Sequence, residues 1–416
     1  MSNAIILGDV HLGKGTNIGK AGVGATLNSR IVDQLNLLDW TLDQAMENHS
    51  EHIIITGDIF EEPKPHPSLI TFFIAWLKKC QVHDVHVHII VGNHDVLRSG
   101  FVYTSPLDII AEVELDNVSI YKDINTIIID TTAFTFIPYR DRKAFSASTN
   151  ADAIQLVRDS LVYELAGIPA TYRKVVVGHL AIEGSIPIGD EIDDLTNELF
   201  CPLDMFNGYD YVWMGHVHKP QVLKKGTPYI AHIGSMDISN FGETEHAKHI
   251  VIFNCDEDNG WAREFLPTRP LQKITVTVPK DTEDTTAYVL EEIKKSGVMD
   301  KAIVRVEVAL TAPELKSVSK QAIEKFLTSN GAFNVTGISE SKKVNLIKKD
   351  SNNTIDTKMD VVSAIKAYST TYIEEDLRES FIELAMDIHN QFKAEAKEWY
   401  PHDCIFATSC AMMTPL

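Results

Sequence analysis

Short β-branched runs alternate with longer amphipathic stretches over roughly the first 270 residues, the signature of an α/β domain. Ala4 to Leu7 predicts a strand. Ser29 to Asn48 predicts a helix, with Ile31, Leu35, Leu38 and Leu42 on one face. Further strands are predicted over Ile53 to Thr56, Val85 to Val91, Lys174 to Val177, Tyr209 to Trp213, Pro228 to Ile233 and His249 to Phe253. Tyr121 to Phe136 reads as a strand pair and Ser68 to Cys80 as a helix. The pattern changes at Pro267 to Pro270, which marks a boundary. Beyond it, Lys273 to Val278 and Ala302 to Leu310 predict strands, while Thr285 to Lys295 and Ser317 to Leu327 predict helices, giving a small second α/β unit. The polar run KKVNLIKKDSNNTID reads as a linker. Met359 to Lys397 then recovers helical patterning through Val361, Ile365, Leu377, Phe381, Leu384, Ile388 and Phe392. The expected organisation is a main domain over 1–268, a second over 269–342, a linker over 343–358 and helices over 359–400.

Composition narrows the setting. A chain of 416 residues is too long for one ordinary core. Its hydrophobic fraction of 44% and charged fraction of 23% are those of a globular protein. Cys80, Cys201, Cys255, Cys404 and Cys410 are scattered without a CxxC pair, so they read as ordinary thiols in a reducing compartment. The start, MSNAIILGDVHLG, has no basic, apolar leader pattern. The most apolar stretch, Leu69 to Leu77, is too short for a bilayer. These features predict a cytoplasmic protein with no membrane partner. The net charge of −20 opposes binding to a polyanion, whose phosphates call for a basic surface. Either the substrate is not a polynucleotide, or a local basic rim, bound metals and a partner supply the positive charge.

The chemistry is concentrated in five short motifs, each following a predicted strand, where α/β folds place their sites. GDVHLG carries Asp9 and His11, and TGDIF carries Asp58. VGNHD carries Asn93, His94 and Asp95, VGHL carries His179, and MGHVH carries His216 and His218. A glycine precedes each cluster, which predicts a sharp turn as the chain leaves the sheet. Carboxylate and amide oxygens with imidazole nitrogens suit divalent Mn, Fe or Zn. Spacing by two residues sets Asp9 with His11, and His216 with His218, on one side of an extended segment. Seven such donors are too many for one ion and fit two. Any one motif alone is explained as a strand-end turn or a satisfied core histidine. The joint series is not.

In this order the motifs resemble the calcineurin-like metallophosphoesterase superfamily. Three details are similar to the SbcD-type nucleases, which include phage recombination exonuclease subunits and the eukaryotic meiotic recombination nuclease. These are HLG after the first aspartate, GDIFEEPKPHP, and HIGSMDISNFGETEHAKHIVIF after the last histidine pair. The likeness runs from residue 4 to about 255, and more faintly from 271 to about 340, where that family has a capping domain. It implies a β-sandwich flanked by helices, with a small α/β cap and C-terminal helices. It implies that Asp9, His11, Asp58 and His218 hold one metal, and that Asp58, Asn93, His179 and His216 hold the other. The ions implied are two Mn²⁺, with Mg²⁺ as the alternative. It implies that His94 contacts the scissile phosphate and serves the leaving oxygen, and that Asp95 orients His94 through its other ring nitrogen. It implies a DNA exonuclease, with endonuclease activity beside it, in end processing, recombination and repair. The implied assembly is a homodimer pairing through the helix at 68–80, whose C-terminal helices grip an SbcC-type coiled-coil ATPase. One position departs: some relatives carry a histidine where this chain has Glu61.

Other features carry less. GKGTNIGKAGVG lacks the GK[ST] ending of a P-loop and reads as a loop beside the metals. Lys14 and Lys20 on it, and Arg140 and Arg142 in PYRDRKAF, are the candidate DNA contacts; the alternative is a solvated loop and turn. His83, His86 and His88 read as structural, as do His246 and His249, while His232 falls closer to the site. The rival functions are a phosphoesterase for small or protein-borne esters, which would need neither cap nor tethered helices, and a non-catalytic scaffold, which would not keep all seven donors and His94.

Overall fold

In the computed structural model, the described residues are 3–22, 27–99, 102–188, 199–255, 260–312, 314–342, 365, 369 and 377–387. Two six-stranded sheets stack face to face. In the first, Trp261–Phe265, His249–Asn254, Asn3–Leu7, Ser50–Ile55, His86–Ile90 and Val118–Tyr121 lie side by side in that order. In the second the order is Gln221–Lys224, Tyr229–His232, Tyr211–Met214, Arg173–Gly178, Thr132–Ile137 and Asn125–Ile129. The central strands of each sheet run parallel, so their C-terminal ends share one edge.

Strand alternation builds the layers. Ile5, Leu7, Ile53, Ile55, Val87 and Ile89 face the helices Ser29–Glu47 and Pro67–Val82, meeting Leu38, Leu42, Phe73, Trp76 and Leu77. Their neighbours Ala4, Ile6, Ile54 and Ile90 face the second sheet, meeting Phe134, Phe136, Val175, Val177 and Trp213. The far face of that sheet, through Val176, Val212 and Ile230, packs on Val157 and Leu161 of the helix Asn150–Gly167. Both faces of the central strands are therefore covered, which is why they read as continuous apolar runs. The result is a β-sandwich flanked by helices, with mixed α/β content, as the motifs implied. Trp76 Nε1 donates to the Leu38 carbonyl at 2.9 Å and locks the two helices of the first face together.

The helix Asn150–Gly167 is absent from the elements the sequence predicts. Its start is well marked, since Thr149 and Asp152 form a reciprocal capping box. Its apolar stripe is blurred, however, because Val162 and Tyr163 are exposed while Val157 and Leu161 are buried.

A third sheet, Leu271–Val278, Ile303–Leu310 and Asn334–Lys342, carries the helices Thr285–Ser296 and Lys320–Ser329. By its contacts the chain forms two units. The larger comprises Met1–Val278, Thr282–Ala309 and Lys316–Glu340. Within it, Arg269 grips Asp33 at 2.6 and 2.8 Å, and Asn334 Nδ2 donates to the Ile18 carbonyl at 2.9 Å. Ile18, Ile238, Leu271 and Ile303 form one apolar cluster with Phe241 and Phe333. The third sheet thus rests on the Gly-rich loop and on the segment after Tyr229–His232. In the second unit, residues 378–387 are helical. The expected linker 343–358 and most of the expected helices 359–400 lie outside the described residues. Among the described residues no helix is long and apolar enough to cross a membrane.

His86 and His88 belong to a cluster between the sheets, joined by His52. His52 Nδ1 lies 3.1 Å from His88 Nε2, His88 Nδ1 lies 3.0 Å from the Tyr121 hydroxyl, and His86 Nε2 lies 2.9 Å from Ser119 Oγ. Burial pushes the His88 pKa down to about 2, so the folded protein holds it neutral. The unfolded chain binds that proton near the ordinary value of 6.5. The stability this residue contributes is therefore complete above that value and is lost as pH falls towards the folded pKa, at about 1.4 kcal/mol per pH unit. Urea denaturation at several pH values between 5 and 6 is expected to show His88→Gln losing close to one proton from the slope of stability against pH. An unchanged slope would contradict a neutral buried imidazole at this position.

Candidate metal centre

Each motif sits where a parallel strand ends. Asp9 and His11 follow Asn3–Leu7, Asp58 follows Ser50–Ile55, and Asn93 and His94 follow His86–Ile90. His179 follows Arg173–Gly178, and His216 and His218 follow Tyr211–Met214. Both sheets therefore deliver donors to the same edge of the sandwich.

The seven donors converge. Asp58 Oδ2 lies 3.2 Å from His179 Nε2 and 3.4 Å from His11 Nε2. Asn93 Oδ1 lies 2.7 Å from His179 Nε2 and 2.9 Å from His216 Nδ1. His218 Nε2 is 2.9 Å from His11 Nε2. Asp9 Oδ1 is 3.5 Å from His179 Nδ1 and accepts the Thr56 hydroxyl at 2.9 Å. Three groupings bring one donor atom from each member within 4.8 Å of the others: Asp9–His11–His218, His11–Asp58–His94 and Asp9–Asp58–His179. Asp9, His11 and Asp58 belong to two groupings each.

The backbone is bent to achieve this. His11, Asp58 and His216 have φ of 47°, 48° and 76°, a region that costs a residue with a side chain on the order of 1–3 kcal/mol. Hydrogen bonds between the turns hold them: His11 N donates to the Asp58 carbonyl at 2.7 Å, and His216 N to Asp9 Oδ2 at 2.8 Å.

The preceding glycines need correcting against expectation. Of Gly8, Gly57, Gly92, Gly178 and Gly215, Gly57 alone has positive φ, at 130°. The others make room. A Cβ on Gly92 would strike Asp58, one on Gly215 would strike Asp9 and Thr56, and one on Gly8 would strike the Gly234 carbonyl. At Gly92 and Gly215 it is a carboxylate that approaches the backbone too closely for any side chain.

Asp95 is also corrected. It does not hold the His94 ring. It accepts the amides of Ile59 at 3.0 Å, Phe60 at 3.3 Å and Gly92 at 3.1 Å, clamping the turn after Asp58 to the turn that carries His94. Burial, with the neighbouring Asp58 charge, pushes its pKa up to about 7. His94 Nδ1 instead lies 2.7 Å from the Glu61 carbonyl. A carbonyl only accepts, so Nδ1 carries the proton. The Glu61 carboxylate turns the other way, 2.8 Å from His11 Nδ1 and 3.4 Å from Lys14 Nζ.

The electrostatics sort these residues by task. Burial alone would raise the pKa of Asp9 and Asp58, but the adjacent His179 holds Asp9 at about 2 and Asp58 well below the usual range. Burial opposes a charge on His179, yet Asp58 and Asp9 raise its pKa well above the ordinary value. Burial lowers His11 to about 4 and His216 to about 3, leaving both as neutral imidazoles. His94 goes upward: burial opposes it, but the Asp58 charge and the Glu61 carbonyl favour its protonated form.

The cationic residues are already engaged. Lys14 faces Glu61, and Lys20 sits 4.3 Å over the Phe333 ring. Arg140 bonds Asp123 at 2.9 Å, and Arg142 bonds the Ser148 carbonyl at 3.2 Å. His232 supports the site from behind, with Nδ1 2.9 Å from the Gly215 carbonyl and Nε2 2.8 Å from Ser185 Oγ. The sequence pattern does not single out Thr56, Tyr139, or the contacts made by Glu61. Tyr139 places its ring 6.0 Å from His216 and 6.3 Å from His179. Thr56 and Glu61 fall within the motifs, but nothing in the pattern marks the contacts they make.

The family model for calcineurin-like phosphoesterase matches residues 3–220, and the chain belongs to that family. Within it, the chain is similar at low identity to SbcD and Mre11 proteins. It is 23% identical over 253 residues to the SbcD component of nuclease SbcCD from Escherichia coli (strain K12), covering 54% of this chain and 61% of that one. It is 24% identical over 336 residues to the DNA double-strand break repair protein Mre11 of Halobacterium salinarum, covering 80% and 76%. It is 22% identical over 298 residues to the uncharacterized metallophosphoesterase YhaO of Bacillus subtilis, covering 69% and 66%. The chain thus spans about three fifths of the length of the E. coli protein.

The crowding at the glycines can be measured directly. Gly92→Ala is expected to lower unfolding stability by about 2 kcal/mol or more, because Asp58 or its turn must move. Gly167→Ala, where an added Cβ meets nothing within 4 Å, is expected to stay within about 1 kcal/mol of the parent. Equal effects in chemical denaturation would contradict the packing described.

Proposed function

We propose that this protein is a two-metal DNA nuclease of the SbcD type, hydrolysing phosphodiesters at DNA ends. The observation that carries the reading is the convergence of Asp9, His11, Asp58, Asn93, His179, His216 and His218 at one edge of the sandwich, with His94 beside them. The donor set fits the group. Two buried carboxylates, an amide oxygen and four imidazoles are the chemistry that borderline divalent ions select. Asp9, His11, Asp58 and His218 would hold one ion, and Asp58, Asn93, His179 and His216 the other, with Mn²⁺ first and Mg²⁺ second as candidates. When bound, two such ions supply positive charge for phosphoryl oxygens and make water acidic enough to act at neutral pH.

The protein's own groups do the rest. Asp58 and Asp9, kept ionised, fix the charge of the site. His11 and His216, kept neutral, offer lone pairs. His94, with Nδ1 committed to Glu61 and a raised affinity for protons, is suited to donate to the departing oxygen from Nε2. With Nδ1 held by the Glu61 carbonyl, His94 is read as standing outside the ligand set, although it lies within reach of it.

DNA is favoured over a small ester by two features. The relatives include a nuclease component and a break-repair protein. The unit over 269–342, read as a cap, rests on the loop that runs from His11 to Lys20, where Lys14 and Lys20 could track a backbone, with Arg140 and Arg142 further out. An SbcC-type ATPase held by the helices over 359–400, and a homodimer through Pro67–Val82, would add the DNA-binding surface that a chain of net charge −20 lacks. A cytoplasmic setting follows from the same reading. That acidity also favours a second reading, a metallophosphoesterase for a small or protein-borne ester.

Mn²⁺-dependent cleavage of linear duplex and single-stranded DNA, run beside a small chromogenic phosphodiester with and without EDTA, separates the two. DNA cleavage abolished by EDTA supports the nuclease. Turnover of the small ester alone, repeated with the ATPase added, supports the second reading. His94→Asn is expected to retain both metals and lose most cleavage, by about 100-fold or more in kcat; loss of metal from this variant would place His94 among the ligands. Removing residues 354–416 is expected to leave basal cleavage and abolish co-purification with the ATPase, and retained co-purification would contradict the tether.

A further inference from the structure

Behind the metal centre lies an ion pair that the chemistry above does not use. Glu243 and Lys248 are both buried, with relative exposures of 0% and 1%. Lys248 Nζ spends all three of its donors inside the protein: on Glu243 Oε2 at 2.7 Å, Ser235 Oγ at 2.7 Å and the main-chain carbonyl of His218 at 3.0 Å. Glu243 Oε1 accepts from Ser239 Oγ at 2.6 Å and Asn240 Nδ2 at 2.8 Å, and faces His218 Nδ1 at 3.9 Å. The same segment reaches Asp9, whose carbonyl accepts the Met236 amide at 2.7 Å.

Burying two charges is costly for each ion, and an apolar pair of similar volume would serve stability as well or better. What an apolar pair could not do is fix His218 at two points. Lys248 holds its backbone through the carbonyl, while Glu243 presents negative charge to Nδ1. Nε2 is left pointing the other way, 2.9 Å from His11 Nε2. A carboxylate behind a ligating imidazole is the usual means of setting its tautomer and orientation. We infer that the Glu243–Lys248 pair is the positioning device for His218, and through it for the ion shared by Asp9, His11, Asp58 and His218. The inference rests on the reading of His218 as a ligand.

The test is calorimetric titration of the metal-free full chain with Mn²⁺, which resolves two binding events. Glu243→Gln/Lys248→Met removes both charges together, so neither is stranded, and thermal melting checks its fold. One ion is expected to bind about 10- to 100-fold more weakly, with the other within about twofold of the parent. Glu243→Asp keeps the pair's charge but draws the carboxylate back, and is expected to weaken the same single ion; it decides the matter if the double variant does not fold. Unchanged binding of both ions in a folded variant overturns the inference. Equal weakening of both ions also overturns it, since that is what general loosening would do. His218→Ala separates the two layers: loss of one ion supports the ligand reading beneath the inference, and two intact affinities overturn both.

Discussion

The structure turns on two carboxylates, Asp9 and Asp58, set side by side where the sheets end and shut away from water. Buried like charges repel strongly and are tolerated only where positive charge is held among them. Here both aspartates raise the proton affinity of His179, and a bound cation would take over that part. Burial and the Asp58 charge together hold the Asp95 pKa up to about 7, and against burial the same charge draws a proton towards His94. A site that gathers positive charge this way is suited to divalent ions, and the neutral imidazoles around it supply lone pairs rather than competing charge.

Much of the surrounding architecture keeps those carboxylates in place. Parallel strands deliver both to one edge. Left-handed backbone at His11, Asp58 and His216 aims them inward, and hydrogen bonds between the turns keep the strain from relaxing. Asp95 staples two of these turns through three amides. Glycines at 92 and 215 clear the space the carboxylates occupy. Further back, the buried Arg30 bonds Asp33 at 2.9 Å and the Ile238 carbonyl at 2.8 Å, and Arg269 reaches the same Asp33. The segments carrying the ligands, the first long helix and the third sheet are thereby joined by charge as well as by the cluster around Ile18 and Phe333.

How much of this is legible in the sequence depends on the range of the interactions. Strands such as Asn3–Leu7 and Arg173–Gly178 are legible because both faces are covered and the apolar run is unbroken. The seven donors are legible because chemistry fixes their types and strand ends fix their spacing. The helix Asn150–Gly167 escapes because exposed Val162 and Tyr163 hide its inner face. The purpose of the glycines is misjudged because the close approach of Asp58 to Gly92 is made across strands, 34 positions apart. Asp95 is misjudged likewise: adjacency to His94 suggests a partner, whereas its oxygens reach back to Ile59 and Phe60. Glu243 and Lys248 carry no motif, and their link to His218 exists only once the chain is folded.

The central claim is that one edge of this sandwich holds two divalent ions bridged by an aspartate. The most direct measurement is anomalous diffraction at the manganese edge from crystals grown with Mn²⁺. The account predicts two peaks about 3.5–4 Å apart, one contacted by Asp9, His11 and His218, the other by Asn93, His179 and His216, with Asp58 touching both. A single peak, or two peaks that do not share Asp58, would contradict it.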